Sequence, residues 1–231
     1  MFIGHWAPAL AVAANPKAPR LATLFIAGQL VDWGFFSLML VGVENMRVAP
    51  GISAMNPMDL YDMPWTHSLL GSLVWAAGFA LILWLWRRDR TAALIGGAVV
   101  LSHWLLDLLV HVPDLTLWGS PPKLGLGLWN HPGIEMPLEL GITMAALLYY
   151  TWKTRATGMF GRIGPALLGL LLLTVQCVNW FGGEASEVTP AIPLTALAAY
   201  AVVTLVAWAV DRQRVRRSAA GDHGDTRRVN V

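Results

Sequence analysis

The strongest constraint on this chain is a series of apolar windows, each close to the length that crosses a bilayer. They cover about residues 21–43, 66–86, 91–112, 135–152, 161–181 and 190–210. A helix needs roughly 20 apolar residues to cross a hydrocarbon layer of about 30 Å. Composition agrees: 56% of the residues are hydrophobic and 13% charged, against about 25% charged in a soluble domain. The expected fold is therefore all-α, a polytopic membrane bundle of about six transmembrane helices. Residues 1–211 read as a single transmembrane domain, and residues 212–231 as a basic, disordered tail.

The cations divide between the connections. Lys17 and Arg20 precede the first window, and Arg87, Arg88 and Arg90 separate the second from the third. Lys153, Arg155 and Arg162 separate the fourth from the fifth, and Arg212, Arg214, Arg216, Arg217, Arg227 and Arg228 follow the sixth. Of the 16 Lys and Arg, only Arg47 and Lys123 fall on the alternate connections. By the positive-inside rule the C-terminus is cytoplasmic. The basic tail reads as a contact for anionic lipid, not for nucleic acid.

Residues 1–20 lack the order of a cleaved signal peptide, because their cations follow the apolar part. "MFIGHWAPALAVAA" is too short to span and contains Pro8. It is expected to form a short re-entrant or interfacial segment, and the re-entrant form needs protein around it. The single cysteine, Cys177, excludes an intrachain disulfide and is expected to be buried in the fifth span. Most of the 12 tryptophans fall near window ends, as in aromatic belts.

Ionisable residues interrupt this apolar pattern at one depth. Asp32 falls near the middle of the first window and His67 at the outer end of the second. "LSHWLLDLLVHVPD" (101–114) carries His103, Asp107, His111 and Asp114. His131, Glu135 and Glu139 stand at the outer start of the fourth window, and His5 joins them if the N-terminus starts outside. A charge at the bilayer centre costs about 2.5–3.5 kcal/mol on insertion scales, so such groups call for pairing, water or a metal. His103 and Asp107, four residues apart, share one helix face. Together they offer an imidazole nitrogen and a carboxylate oxygen, a donor set for Zn, Mn or Fe; the carboxylate can instead orient the imidazole. His131, Glu135 and Glu139 repeat the same spacing if His131 is helical. Gln176 and Asn179 face either the site or another helix. His111 and His131 are expected to flank the site, while Asp59, Asp62, Asp114, Glu184 and Glu187 are expected to be solvated loop acids.

"PWTHSLLGSLVW" (64–75) followed by "LSHWLLDLLVH" (101–111) resembles the YdjM-like family of bacterial inner-membrane proteins, described as metal-dependent hydrolases. The resemblance covers about residues 1–140. It implies functional roles for His5 in "GHWAPAL", Asp32 in "AGQLVDW", Thr66-His67-Ser68, and Ser102-His103 with Asp107. It also implies residence in a bacterial inner membrane. The chain departs from the family pattern at "LVDWG", which has one Asp where a Pro-Asp-x-Asp cluster is usual. It departs again at "DMPWTHS", which lacks the usual preceding Arg. One lost carboxylate points to one metal instead of two, or to no hydrolysis.

The expected site is thus a divalent metal, zinc first, with Mn or Fe as the other fits. His67, His103 and Asp107 would hold it, joined by His5 or Asp32. Glu139, or Glu135, would take a proton from water, and a lipid or amphipathic ester or phosphoester near the outer leaflet would be the substrate. Rival readings are a bis-histidine haem protein using His67 and His103, a metal or proton transporter, and a non-catalytic subunit with partners in a membrane complex.

Overall fold

The computed structural model describes residues 1–183 and 186–216. A 3₁₀ turn at Ile3–His5 leads into helix α1 (Trp6–Ala13), followed by α2 (Leu21–Gly28) and α3 (Leu30–Leu40). A hairpin of β1 (Asn45–Val48) and β2 (Met58–Asp62) precedes α4 (Leu69–Arg87) and α5 (Arg90–Val110). Then come α6 (Pro132–Lys153), β3 (Thr154–Ala156), α7 (Met159–Phe181), α8 (Ala191–Arg212) and β4 (Arg214–Arg216).

Local chemistry fixes the helix ends. Ser68 caps α4 by accepting from Gly71 N at 2.9 Å, and Asp89 caps α5 by accepting from Ala92 N at 3.1 Å. Each side-chain oxygen satisfies a first-turn N–H that has no intrahelical partner. Arg88 at φ 53° closes α4 in the left-handed region, so α4 and α5 form a hairpin with a two-residue turn.

Four helices, α4, α5, α7 and α8, are long and apolar enough to cross a membrane. A fifth span exists if α2 and α3, bent by 55° at Gln29, count as one. The expected sixth is α6. It has 22 residues, but Glu135, Glu139 and Lys153 make it less apolar than the other four. The first predicted window is thus a broken helix, not a continuous one. The break coincides with a close crossing, since a Cβ on Gly28 would lie 2.6 Å from the His5 carbonyl oxygen. Only a residue without a side chain lets the N-terminal segment pass there.

That segment is part of the core, not a helix lying on the surface. Ile3, Trp6, Ala9, Leu10 and Ala13 are fully buried among α2, α6 and α8 side chains. A second apolar cluster, including Met46, Leu60, Met63, Trp104 and Trp129, fills the opposite end beneath the β1–β2 hairpin.

Several expectations need correction. Cys177 is exposed on α7, because Gln176, one residue earlier, takes the buried face. His131 is exposed and precedes α6 instead of lying in it, since Pro132 and Gly133 start the helix after it. The tail does not fray at residue 212: Arg214–Arg216 pairs antiparallel with Thr154–Ala156. The remainder of the predicted tail, 217–231, and Glu184 lie outside the described residues. Trp65, Trp86, Trp118 and Trp152 are exposed near helix ends, as aromatic belts require.

Candidate metal centre

Four segments deliver imidazoles and carboxylates to one buried point. His5 comes from the N-terminal turn, Asp32 from α3 just past the break, and His67 from the segment before α4. His103 and Asp107 come from one face of α5, and His111 closes that helix. Asp107 stands in the middle with its two oxygens facing different partners. Oδ2 lies 3.1 Å from His103 Nε2 and 3.7 Å from His67 Nε2. Oδ1 lies 3.0 Å from His5 Nε2, 3.3 Å from His111 Nε2 and 3.4 Å from the Met1 amino nitrogen. Asp32 Oδ1 approaches His67 Nε2 at 3.3 Å and His103 Nε2 at 3.5 Å.

The separations among His67 Nε2, His103 Nε2, Asp32 Oδ1 and Asp107 Oδ2 test whether a metal fits. A tetrahedron with zinc-to-ligand bonds of about 2.0–2.1 Å has edges of about 3.3–3.4 Å. The four nitrogen-to-oxygen edges here are 3.1, 3.3, 3.5 and 3.7 Å, but Asp32 and Asp107 do not share one group of ligand atoms within 4.8 Å of one another, so a cation held by both requires the two carboxylates to draw together. Two groups, His5 with His103 and Asp107, and Asp32 with His67 and His103, each bring three ligand atoms within 4.8 Å of one another. His103 belongs to both.

The outer ring nitrogens decide which way the lone pairs point. His103 Nδ1 lies 2.9 Å from the Gly28 carbonyl oxygen. A carbonyl only accepts, so Nδ1 carries the proton and donates. Gly28 lies in the last turn of α2, where carbonyls lack an intrahelical partner, so the break in the first span supplies this acceptor. His67 Nδ1 sits 2.8 Å from Thr66 Oγ1, whose own proton goes to Glu44 Oε2 at 2.7 Å. Nδ1 of His67 must therefore donate as well. Glu44 is fully buried, and its Oε1 accepts from Trp65 N and Thr66 N. His111 Nδ1 lies 2.9 Å from Asp114 Oδ1, which again places a donor on Nδ1. Three imidazoles are thus oriented from outside with Nε2 facing the carboxylates, the arrangement that protein scaffolds impose on metal-bound histidines.

Unpaired atoms mark the centre. His103 Nε2 and Asp107 Oδ2 are buried, 3.1 Å apart, and neither has a hydrogen-bond partner among the described residues. Such a pair is satisfied by a cation bound between the two atoms or by a proton on Nε2, which would make the imidazole a donor at both nitrogens.

The glutamates separate into two roles. Glu139 Oε1 accepts from Phe2 N and, at 2.9 Å, from Gly4 N, while Oε2 accepts from Gln176 Nε2 at 2.9 Å. Glu139 therefore holds the N-terminal segment that carries His5. Glu135 is fully buried beside the Glu139 carboxyl, and among the described residues its oxygens have no other hydrogen-bond partner.

The structure thus brings His5, Asp32, His67, His103 and Asp107 together and adds His111. Of the acids expected to be solvated, Asp114 is buried on His111, because the chain turns back at Pro113. Sequence reasoning missed Glu44 and Tyr200, whose hydroxyl donates to Asp32 Oδ2 at 3.0 Å. No periodicity connects either residue to the motifs it supports. Comparison with known protein families, curated proteins and solved structures yields no match, so the site is interpreted from its own geometry.

Proposed function

We propose that this chain is a membrane-embedded, metal-dependent hydrolase, with His67, His103, Asp32 and Asp107 holding a divalent cation. The observation that carries the proposal is the convergence of the His67 and His103 Nε2 atoms on Asp32 Oδ1 and Asp107 Oδ2 at 3.1–3.7 Å, built from histidines whose Nδ1 atoms are engaged elsewhere. Mixed imidazole and carboxylate donors favour zinc, with manganese or iron as the other fits. Such a cation supplies Lewis acidity, acidifying water and polarising an ester or phosphoryl oxygen.

The chain's own groups do the rest. Asp114, Thr66 with Glu44, and the Gly28 carbonyl hold the imidazoles in the ligating tautomer. His5 and His111 face the second oxygen of Asp107. Glu135 is better placed than Glu139 to accept a proton, since both oxygens of Glu139 are occupied by hydrogen bonds from the N-terminal segment and Gln176. Burial within an apolar bundle favours a lipid or amphipathic ester or phosphoester as substrate. The resemblance to the YdjM-like family supports the same reading and adds a bacterial inner membrane. Six crossings, with α6 as the sixth, and a cytoplasmic C-terminus follow from the charge pattern. The haem alternative fits less well: Asp32 and Asp107 lie between His67 and His103, where a macrocycle would have to pass.

Elemental analysis of detergent-purified protein tests the assignment. Wild-type protein is expected to retain zinc, manganese or iron, His103→Ala to lose it, and the exposed-residue control His131→Ala to keep it. Metal content unchanged in His103→Ala, or wild-type protein that takes up none of these ions, would overturn the proposal.

A further inference from the structure

The geometry points to a lipid-binding subsite in the seam between α3 and α8, through which a substrate reaches the cluster from the side. This inference rests on the metal-dependent reading above and names how an amphipathic substrate enters. Within the cluster, the Asp32 side chain is 15% exposed, whereas those of His5, His67, His103, Asp107 and His111 are at most 5% exposed. The site therefore approaches the surface beside Asp32, on α3. Across the seam stands Tyr200 of α8, which gives its one proton to Asp32 Oδ2.

Two donors near that tyrosine have no hydrogen-bond partner among the described residues. The Trp33 ring lies 5.7 Å from the Tyr200 ring, and its Nε1 is buried with no hydrogen bond. Three other indoles that reach the interior are satisfied: Trp6 donates to Phe25 O, Trp75 to Trp65 O and Trp104 to His67 O. Thr204, one turn along α8 from Tyr200, has a buried hydroxyl with no partner. Helical threonines normally bond back to the preceding turn, and Thr143, Thr151 and Thr174 do so at 2.8 Å. Thr204 does not.

Indole N–H is donor-only, and a threonine hydroxyl has one proton to give. Tyr200, its proton committed to Asp32, can only accept. Two unpaired donors in an apolar seam recognise an acceptor oxygen, and in a bilayer such oxygens belong to lipid esters and phosphates. The seam thus selects a glycerolipid by its ester carbonyl or phosphate, with the acyl chains left in the hydrocarbon layer.

Photolabelling tests this in lipid nanodiscs containing phosphatidylglycerol or diacylglycerol with a diazirine near the acyl ester. Adducts mapped by mass spectrometry are expected on α3 and α8 around Trp33 and Thr204. The variant Trp33→Phe with Thr204→Val removes only the two donors. It is expected to lose about tenfold or more of that labelling with its zinc content unchanged. Labelling by both lipids assigns the carbonyl as the recognised oxygen, and labelling by phosphatidylglycerol alone assigns the phosphate. Labelling spread around the bundle, concentrated instead at the α7 groove lined by Leu173, Cys177 and Phe181, or undiminished in the double variant would overturn the subsite. Seam labelling in a protein that holds none of zinc, manganese and iron would keep the subsite and overturn the metal reading.

Discussion

The two ends of the bundle both bury charge, and they do so differently. At the basic end, Asp211 Oδ1 accepts from Tyr150 Oη at 2.7 Å and Oδ2 from Leu21 N at 3.3 Å. Arg214 donates to Thr154 Oγ1 and to the carbonyls of Thr151, Thr154 and Gly161. Arg216 reaches the carbonyls of Ala13, Pro16 and Pro19. These groups close the network among themselves, tying β4 to the α1–α2 connection and to the start of α7. At the other end, His103 Nε2 and Asp107 Oδ2 face each other, and they, Asp114 Oδ2 and the Glu135 oxygens are buried with no hydrogen bond of good geometry among the described residues. A completed network positions the chain, whereas imidazoles and carboxylates left facing one another can take up protons or a cation.

The sharpest way to break this comparison is to remove one member from each end. Arg214→Met leaves several buried carbonyls unpaired and is expected to destabilise the fold by about 3–5 kcal/mol. Folded Arg214→Met protein should keep its metal. His103→Ala should do the reverse, losing the metal while the metal-free fold persists. Thermal unfolding and elemental analysis on the same samples check both, and a variant that loses both properties together would merge the two classes.

A ligand for the incomplete end should also stabilise it by mass action. Zinc at about one hundred times its dissociation constant adds about 2.7 kcal/mol. The unfolding midpoint of chelator-treated wild-type protein is therefore expected to rise on zinc addition, and that of Asp107→Asn to stay put. Equal shifts in both would place the zinc elsewhere.

The outer orienting groups come next in size. Thr66→Val removes the acceptor that fixes the His67 tautomer and leaves Glu44 Oε2 without its donor. Loss of such a partner weakens metal binding by about 10- to 100-fold. Competition with a chelating dye measures this, and unchanged affinity would mean that His67 is not a ligand.

Much of the scaffold was legible beforehand, for a physical reason. The windows at 66–86, 91–112, 161–181 and 190–210 became α4, α5, α7 and α8 within a few residues, because length and apolarity alone dictate helices in lipid. The i, i+4 spacing of His103 and Asp107 placed both on one face, since the period of a helix is a local property. What pairs across the bundle was not legible. Glu44 sits in a polar connection, where an acid ordinarily looks solvated, and only the turn back toward Thr66 buries it. The break at Gln29 was hidden inside a continuous apolar run, because what meets the chain there, the His5 carbonyl crossing at Gly28, lies more than twenty positions away. His131, Glu135 and Glu139 looked like one helical row, until Pro132 excluded the first of them from the helix.

The two glutamates of α6 sharpen the comparison within a single turn, and they carry the smallest expected effect. Glu139 belongs to a completed network and Glu135 to the incomplete one. Gln176 is committed at both ends of its amide, its Oε1 accepting from Ile3 N at 3.2 Å while its Nε2 donates to Glu139. In Glu139→Gln, the new side chain must keep its oxygen toward Phe2 N and Gly4 N, which turns its NH₂ toward the NH₂ of Gln176. Two donors then face each other, and Gln176 cannot flip without abandoning Ile3. The expected cost is about 1–3 kcal/mol of stability, with some loosening of His5. Glu135→Gln keeps a hydrogen-bonding group toward Glu139 and removes one of two adjoining buried carboxyls, so stability should hold or rise slightly and metal content should not change. Denaturant unfolding of the two variants side by side measures the difference, and a Glu135→Gln protein as unstable as Glu139→Gln would place Glu135 among the structural groups.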